Sequence, residues 1–274
     1  IGAGAMESGN ATAAADGTVA IGSNALLALT SGASNVAIGK DSGKALTTGA
    51  HNTFLGTTTG DDMVEGSYNI AIGSDALGGA KDGTADASQF NIFIGVNSGN
   101  GAWVTAVSQY NVGVGSYTLD GAMNGAVNNT AVGHKGLSAI TTGDSNVAVG
   151  YQSGLALTTG HSNVIIGENA GSTATTEITN TVMVGNDAGQ AAVSANHVFI
   201  GDHAGAAAVA NHGQVFIGYY AGAVITSGER NTAIGYQALD SADDCDDSIA
   251  IGYQALAGTD AGTNNKNIAI GNYA

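Results

Sequence analysis

One glycine recurs through this chain in a fixed setting, and that recurrence constrains the fold more than any other feature. The glycines are Gly2, Gly22, Gly39, Gly56, Gly73, Gly95, Gly115, Gly133, Gly150, Gly167, Gly185, Gly201, Gly218, Gly235, Gly252 and Gly271, sixteen copies in all. Eight of the fifteen spacings are 17 residues, and the others run from 16 to 22. Self-similarity at a short period marks an architecture of stacked repeats. Three residues before the glycine, every one of fifteen copies is β-branched, from Val19, Val36 and Thr53 to Ile249 and Ile268. The residue just before it is Ile or Val in every copy but one, which has Leu55. Two β-branched residues at period 2 predict a short strand that buries this pair and ends at the glycine. Three residues after the glycine the side chain is always small, as at Ala25, Ser42, Thr59, Gly136, Ala170 and Ala188. The next residue is Gly or Leu, apart from Met6.

A unit of 17 residues is too short for two helices but long enough for one coil of two short strands and two turns. The expectation is an all-β chain, a parallel β-solenoid of about sixteen coils, running as one continuous array over 1–274. A coil this thin would enclose little core, so the small position predicts close packing between chains, in a homotrimer. No capping element is visible at either end of the array, which predicts a fragment of a longer fibre protein.

Composition removes several classes. Glycine makes up 44 of 274 residues, proline is absent, 43% of residues are apolar and 10% are charged. Disorder needs lower hydrophobicity with more charge or proline, and collagen needs glycine at every third position. No apolar run is long enough for a membrane span. A net charge of −16 argues against nucleic acid and anionic membrane surfaces as partners. The single cysteine, Cys245, excludes an internal disulfide framework. The glycines lack a phosphate-loop lysine, and no Ser-His-Asp order is recognisable, so neither a cofactor nor catalysis is expected.

Four residues before the glycine stands asparagine: Asn35, Asn52, Asn69, Asn91, Asn111, Asn129, Asn146, Asn163, Asn231 and Asn267. The other copies carry Thr18, Thr181, His197, Gln214 and Ser248, which are also polar. Stacked on its copies, such a residue can form a ladder that satisfies its own amides and the turn backbone. A simple turn preference of Asn explains the same pattern. A Thr-Thr-Gly or Thr-Ser-Gly turn follows eight residues after the repeat glycine in several coils, as at Gly49 and Gly160.

These motifs, Asn35-Val-Ala-Ile-Gly39, Asn146-Val-Ala-Val-Gly150 and Asn231-Thr-Ala-Ile-Gly-Tyr-Gln-Ala-Leu239, resemble the head repeats of YadA-like trimeric adhesins. They resemble still more the related repeats of phage tail fibre proteins, because autotransporter heads use shorter units. The resemblance implies a left-handed, trimeric parallel β-roll used in surface attachment. It implies a place in a virion tail fibre, with other tail proteins and a host-surface glycan or protein receptor as partners. The alternatives are the head of a bacterial surface adhesin and, further off, a polysaccharide-degrading tailspike.

Recognition is expected on inserts carried by the rod. The long inserts are 78–89 and 100–109, and Trp103 is the candidate receptor contact; its alternative role is to pack down and anchor its loop. Asp240, Asp243, Asp244, Asp246 and Asp247 form an acidic cluster, read as a solvated loop or a calcium site without EF-hand spacing. His197, His203 and His212 fall in adjacent coils. Tyr219, Tyr220, Tyr236 and Tyr253 follow the glycine directly and form rows suited to surface packing or to binding sugars or proteins.

Overall fold

The computed structural model describes residues 2–6, 15–79, 87–103, 106–174, 177–207, 212–240, 245–258 and 266–274. The chain is a parallel β-solenoid whose contacts divide it into two compact units, 1–144 and 145–274. The first unit contains β1 (Val19–Ile21), β2 (Val36–Ile38), β3 (Thr53–Leu55), β4 (Ile70–Ile72), β5 (Ile92–Ile94), β6 (Val112–Val114) and β7 (Thr130–Val132). The second contains β8 (Val147–Val149), β9 (Val164–Ile166), β10 (Val182–Val184), β11 (Val198–Ile200), β12 (Val215–Ile217), β13 (Thr232–Ile234), β14 (Ile249–Ile251) and β15 (Ile268–Ile270). Within each unit every strand pairs in parallel with its sequence neighbour. The register is copy on copy, as in Val36 with Thr53, Ala37 with Phe54 and Ile38 with Leu55. Each repeat position therefore forms a column.

Among the described residues each coil has one strand, not the two expected. The remaining residues turn, because three positions per coil take left-handed backbone: Asp41 (φ 56°), Gly43 (φ 60°) and His51 (φ 60°) in one example. Such dihedrals interrupt a strand, yet the turn backbone still bonds coil to coil. The Gly43 N–H donates to Thr59 O at 2.9 Å, Ala45 to Asp61 at 3.0 Å and Thr47 to Val64 at 2.8 Å. The repeat glycine ends the strand for two reasons. At Gly73 φ is 129°, and a Cβ there would lie 2.5 Å from the Gly95 carbonyl oxygen of the next coil.

The strand faces are the reverse of the sequence expectation. The middle residue points inward and is fully buried, as at Ala37, Phe54, Ala71, Phe93, Ile165 and Phe216. The β-branched pair around it points outward: Val19, Leu55, Ile70, Ile94, Val132, Ile166, Ile200 and Ile234 are exposed. Alternation puts the middle residue on the same side as the asparagine two positions earlier, and that side is the interior.

The small residue after the glycine is also corrected. Ala25, Ala76, Ala170, Ala188, Ala204, Ala221, Ala238 and Ala255 are buried within a single chain. Their size follows from the narrow interior of one coil, not from contact between chains. In most coils the following Gly or Leu completes that interior by size compensation, Ala37 with Gly43 and Ala148 with Gly154 being exceptions. Where the strand's middle residue is small (Ala71, Gly113, Ala131, Ala233), the partner is Leu77, Leu119, Leu137 or Leu239, each buried. Where it is large (Phe54, Phe93, Met183, Phe199, Phe216), the partner is Gly60, Gly99, Gly189, Gly205 or Gly222. A Cβ on Gly205 or Gly222 would sit 2.6 Å from the ring of Phe199 or Phe216. Gly43 pairs with the small Ala37, but its space is filled by Leu26 and Phe54 of the flanking coils, 2.8 and 2.9 Å from a Cβ. Close packing of this kind leaves no room for an extra methylene.

Candidate functional site

The polar column lies inside. In the first unit Asn35, Asn52, Asn69, Asn91, Asn111 and Asn129 are fully buried. The Asn52 backbone N–H and its Nδ2 both donate to Asn35 Oδ1, at 2.9 and 3.1 Å, and Nδ2 also donates to Gly66 O at 2.8 Å. The same three bonds recur at Asn69, Asn91, Asn111 and Asn129. Each amide thus satisfies the next strand's entry and a buried turn carbonyl.

In the second unit the column is mixed. Asn163 bonds to Asn146 in the same manner, at 3.2 Å from its N–H and 2.9 Å from Nδ2. Thereafter each rung's backbone N–H donates to whatever side chain precedes it: Thr181 to Asn163 Oδ1 (3.0 Å), His197 to Thr181 Oγ1 (3.4 Å), Gln214 to His197 Nδ1 (3.3 Å). The series continues with Asn231 to Gln214 Oε1 (2.9 Å), Ser248 to Asn231 Oδ1 (2.9 Å) and Asn267 to Ser248 Oγ (3.2 Å). Because Nδ1 of His197 accepts, its proton sits on Nε2, which meets Ser194 Oγ at 2.8 Å. Burial, and then the neighbouring His212, lower the pKa of His197 to about 4.

The outer surface carries aromatic columns. His51, Tyr68, Phe90 and Tyr110 stack in successive coils at 4.8, 5.0 and 5.2 Å, with planes within 14°. They occupy the position before the asparagine, in left-handed turn backbone, and are exposed. The sequence reading missed them; the signal was present, since only these four copies place an aromatic ring or imidazole there. In the second unit Tyr219, Tyr236 and Tyr253 stack at 5.0 and 5.1 Å, and Tyr220 stacks on His203 at 4.5 Å. His203 also contacts Asp202 at 2.5 Å, so it lies on the turn surface while His197 is in the ladder. In the first unit the corresponding turns form a pocket of about 510 Å³ lined by Tyr117, Asp120, His134, Lys135 and Ser138. Burial raises the Asp120 pKa to about 6.

Trp103 lies in the interior, as its alternative packing role expects. It is 1% exposed and packs edge-on against Phe93, with ring centroids 5.7 Å apart. Leu29, Leu46, Met63, Ile140 and Leu157 lie seven residues after the repeat glycine and are buried; Met123 and Trp103 lie eight after and fill the same inward place. That column was legible in the spacing. Of the acidic cluster, Asp243 and Asp244 lie outside the described residues. Asp246 Oδ1 accepts the Glu229 N–H at 2.7 Å, and Asp247 pairs with Arg230 Nε at 2.6 Å. The hydrogen bond from Arg230 holds the Asp247 carboxyl below the usual carboxylate range. Among the described residues no group of three or more His, Cys, Asp or Glu could hold a metal ion, and no helix is long and apolar enough to cross a membrane.

No protein-family model, curated protein or solved structure matches this chain.

Proposed function

We propose that this chain is a structural and adhesive segment of a trimeric phage tail fibre, which spaces or presents binding to a host-surface receptor. The observation that supports it is the outward strand face. In each unit exposed aliphatic side chains stand on that face, Val19, Ile21, Leu55 and Ile94 in the first and Ile200 and Ile234 in the second. The positions between them are buried from β2 onward, so these coils offer solvent a flat, uncharged strip. Extended apolar surface of this kind belongs at a protein–protein contact. A copy of the same chain has the same rung spacing, so column meets column in every coil. Three copies packed around these columns would bury them, with the turns facing outward. The head of a bacterial trimeric adhesin is the alternative; the 17-residue spacing of the repeat favours the fibre.

Sedimentation equilibrium of the purified chain tests the assembly. A trimer is expected, and Ile200→Asp with Ile234→Asp should dissociate it, because both carboxylates would be desolvated in the contact. A cooperatively folded monomer at micromolar concentration would overturn the reading.

A further inference from the structure

We propose that the column Tyr219–Tyr236–Tyr253 is a binding site for an extended, neutral polysaccharide lying along the stacked coils, one sugar residue to each coil. The inference rests on the attachment reading and names a ligand class for it. The column is on the turn surface, one residue beyond the repeat glycine and off the outward strand face. Its rings are exposed and nearly parallel, with interplanar angles of 15° and 9°. Both faces of Tyr236 are covered by its stacked neighbours, so there solvent meets the ring edge and the phenol hydroxyl, while Tyr219 and Tyr253 each stack on one neighbour in the column. Beside them runs a second column, Tyr220, Gln237 and Gln254, in which Gln254 Nε2 donates to Gln237 Oε1 at 2.7 Å. Phenols and carboxamides each donate and accept hydrogen bonds, as does every sugar hydroxyl.

The repeat distance separates the candidate polymers. The rings stand 5.0 and 5.1 Å apart, close to the length of one pyranose with its linkage in an extended chain. A peptide strand returns a side chain to the same face only about every 6.7 Å, so it falls out of step within a few coils. Charge selects further. Asp187 and Asp202 contact His203, whose ring stacks on Tyr220, and the chain carries −16 overall. Acidic polymers are repelled there. The stacked rings are already ordered, which lowers the entropic cost of binding.

Calorimetric titration with β-1,4-linked gluco-oligosaccharides, two to six residues long, tests the site on the intact assembly. Affinity should rise with length and then level off once the column is covered. Tyr236→Ala with Tyr253→Ala should weaken binding by about tenfold or more. Tyr236→Phe, which keeps the stack and removes one hydroxyl, should weaken it less, and circular dichroism of both variants should match the parent. Oligogalacturonate of equal length should not bind. Absence of binding at every length, indifference to the double substitution, or equal binding of the acidic oligomer would overturn the proposal. A trimer that binds no oligosaccharide would sink this site and leave the fibre assembly standing. A monomer that binds them would do the reverse.

Discussion

The two units solve one problem in two ways. In the first, the interior polar column is all asparagine from Asn35 to Asn129, and each amide from Asn52 onward makes the same three bonds. In the second, Thr181, His197, Gln214 and Ser248 interrupt it. Yet the backbone N–H of each described rung from Asn163 onward still finds an acceptor on the preceding rung. The bond to the next strand's N–H is thus the constant, because that group is buried and an orphaned donor is costly. The bond to the turn carbonyl varies. Gln214 and Asn231 keep it, to Gly228 and Cys245, while Thr181 and Ser248 turn instead to carbonyls two residues back in their own chain.

The comparison is sharpest where the ladder is uniform. Asn91→Leu would orphan the Asn111 N–H and the Ser108 carbonyl, which Asn91 now satisfies, and would leave Asn111 Nδ2 with only its bond to Ala126 O. With roughly 1–3 kcal/mol for each of these two buried groups left unsatisfied, a loss on the order of 2–6 kcal/mol is expected by urea denaturation. If Asn91→Leu costs no more than a substitution at a mixed rung, the two columns are not different in kind.

Next comes the interior that surrounds the column. Phe199→Ala should destabilise by about 3–5 kcal/mol, and Gly205→Leu should be at least as damaging, since its Cβ would meet the Phe199 ring at 2.6 Å. The double variant recreates the pairing seen at Ala233 and Leu239, so it should recover much of the loss. A double-mutant cycle checks this, and additive losses would show that the two positions do not share one space. Ala170→Leu or Ala188→Leu has no such compensation and should cost about 1–3 kcal/mol by overpacking.

The mixed column alone carries a titratable rung. The pKa of His197 is lowered to about 4 from an ordinary 6.5, so below pH 6.5 the unfolded chain binds the extra proton. Stability is therefore full above that pH and is lost as pH falls toward 4, by at most about 3 kcal/mol. His197→Asn should flatten this dependence and regularise the ladder; a melting temperature with the same slope between pH 6.5 and 4 in both chains would contradict it. Ser248→Ala should have the smallest effect. It removes an Oγ that accepts one N–H, from Asn267, at a cost of about 1 kcal/mol.

The sequence by itself determined the repeat, its parallel copy-on-copy stacking and the columns of like residues. The reason is that a 17-residue period with a β-branched residue, a glycine and a polar residue in fixed phase has few other ways to satisfy its backbone. The pairing of Leu with Ala and of Gly with Phe was also written there in most coils, while at Ala37 and Gly43 the neighbouring coils fill the space, so volume there is conserved across coils. The sequence did not determine which side of the strand faces in. Period 2 specifies two faces without naming the interior, and the β-branched pair suggested the wrong one. Only the closed coil decided it. Its lumen is too narrow for two large aliphatic columns, so it takes the single middle residue and the self-bonded amides, and leaves Val19, Ile70 and Ile234 outside. The same closure drew Trp103 inward, since an insert beside a stacked column can supply the column's missing side chain and a solvated loop cannot.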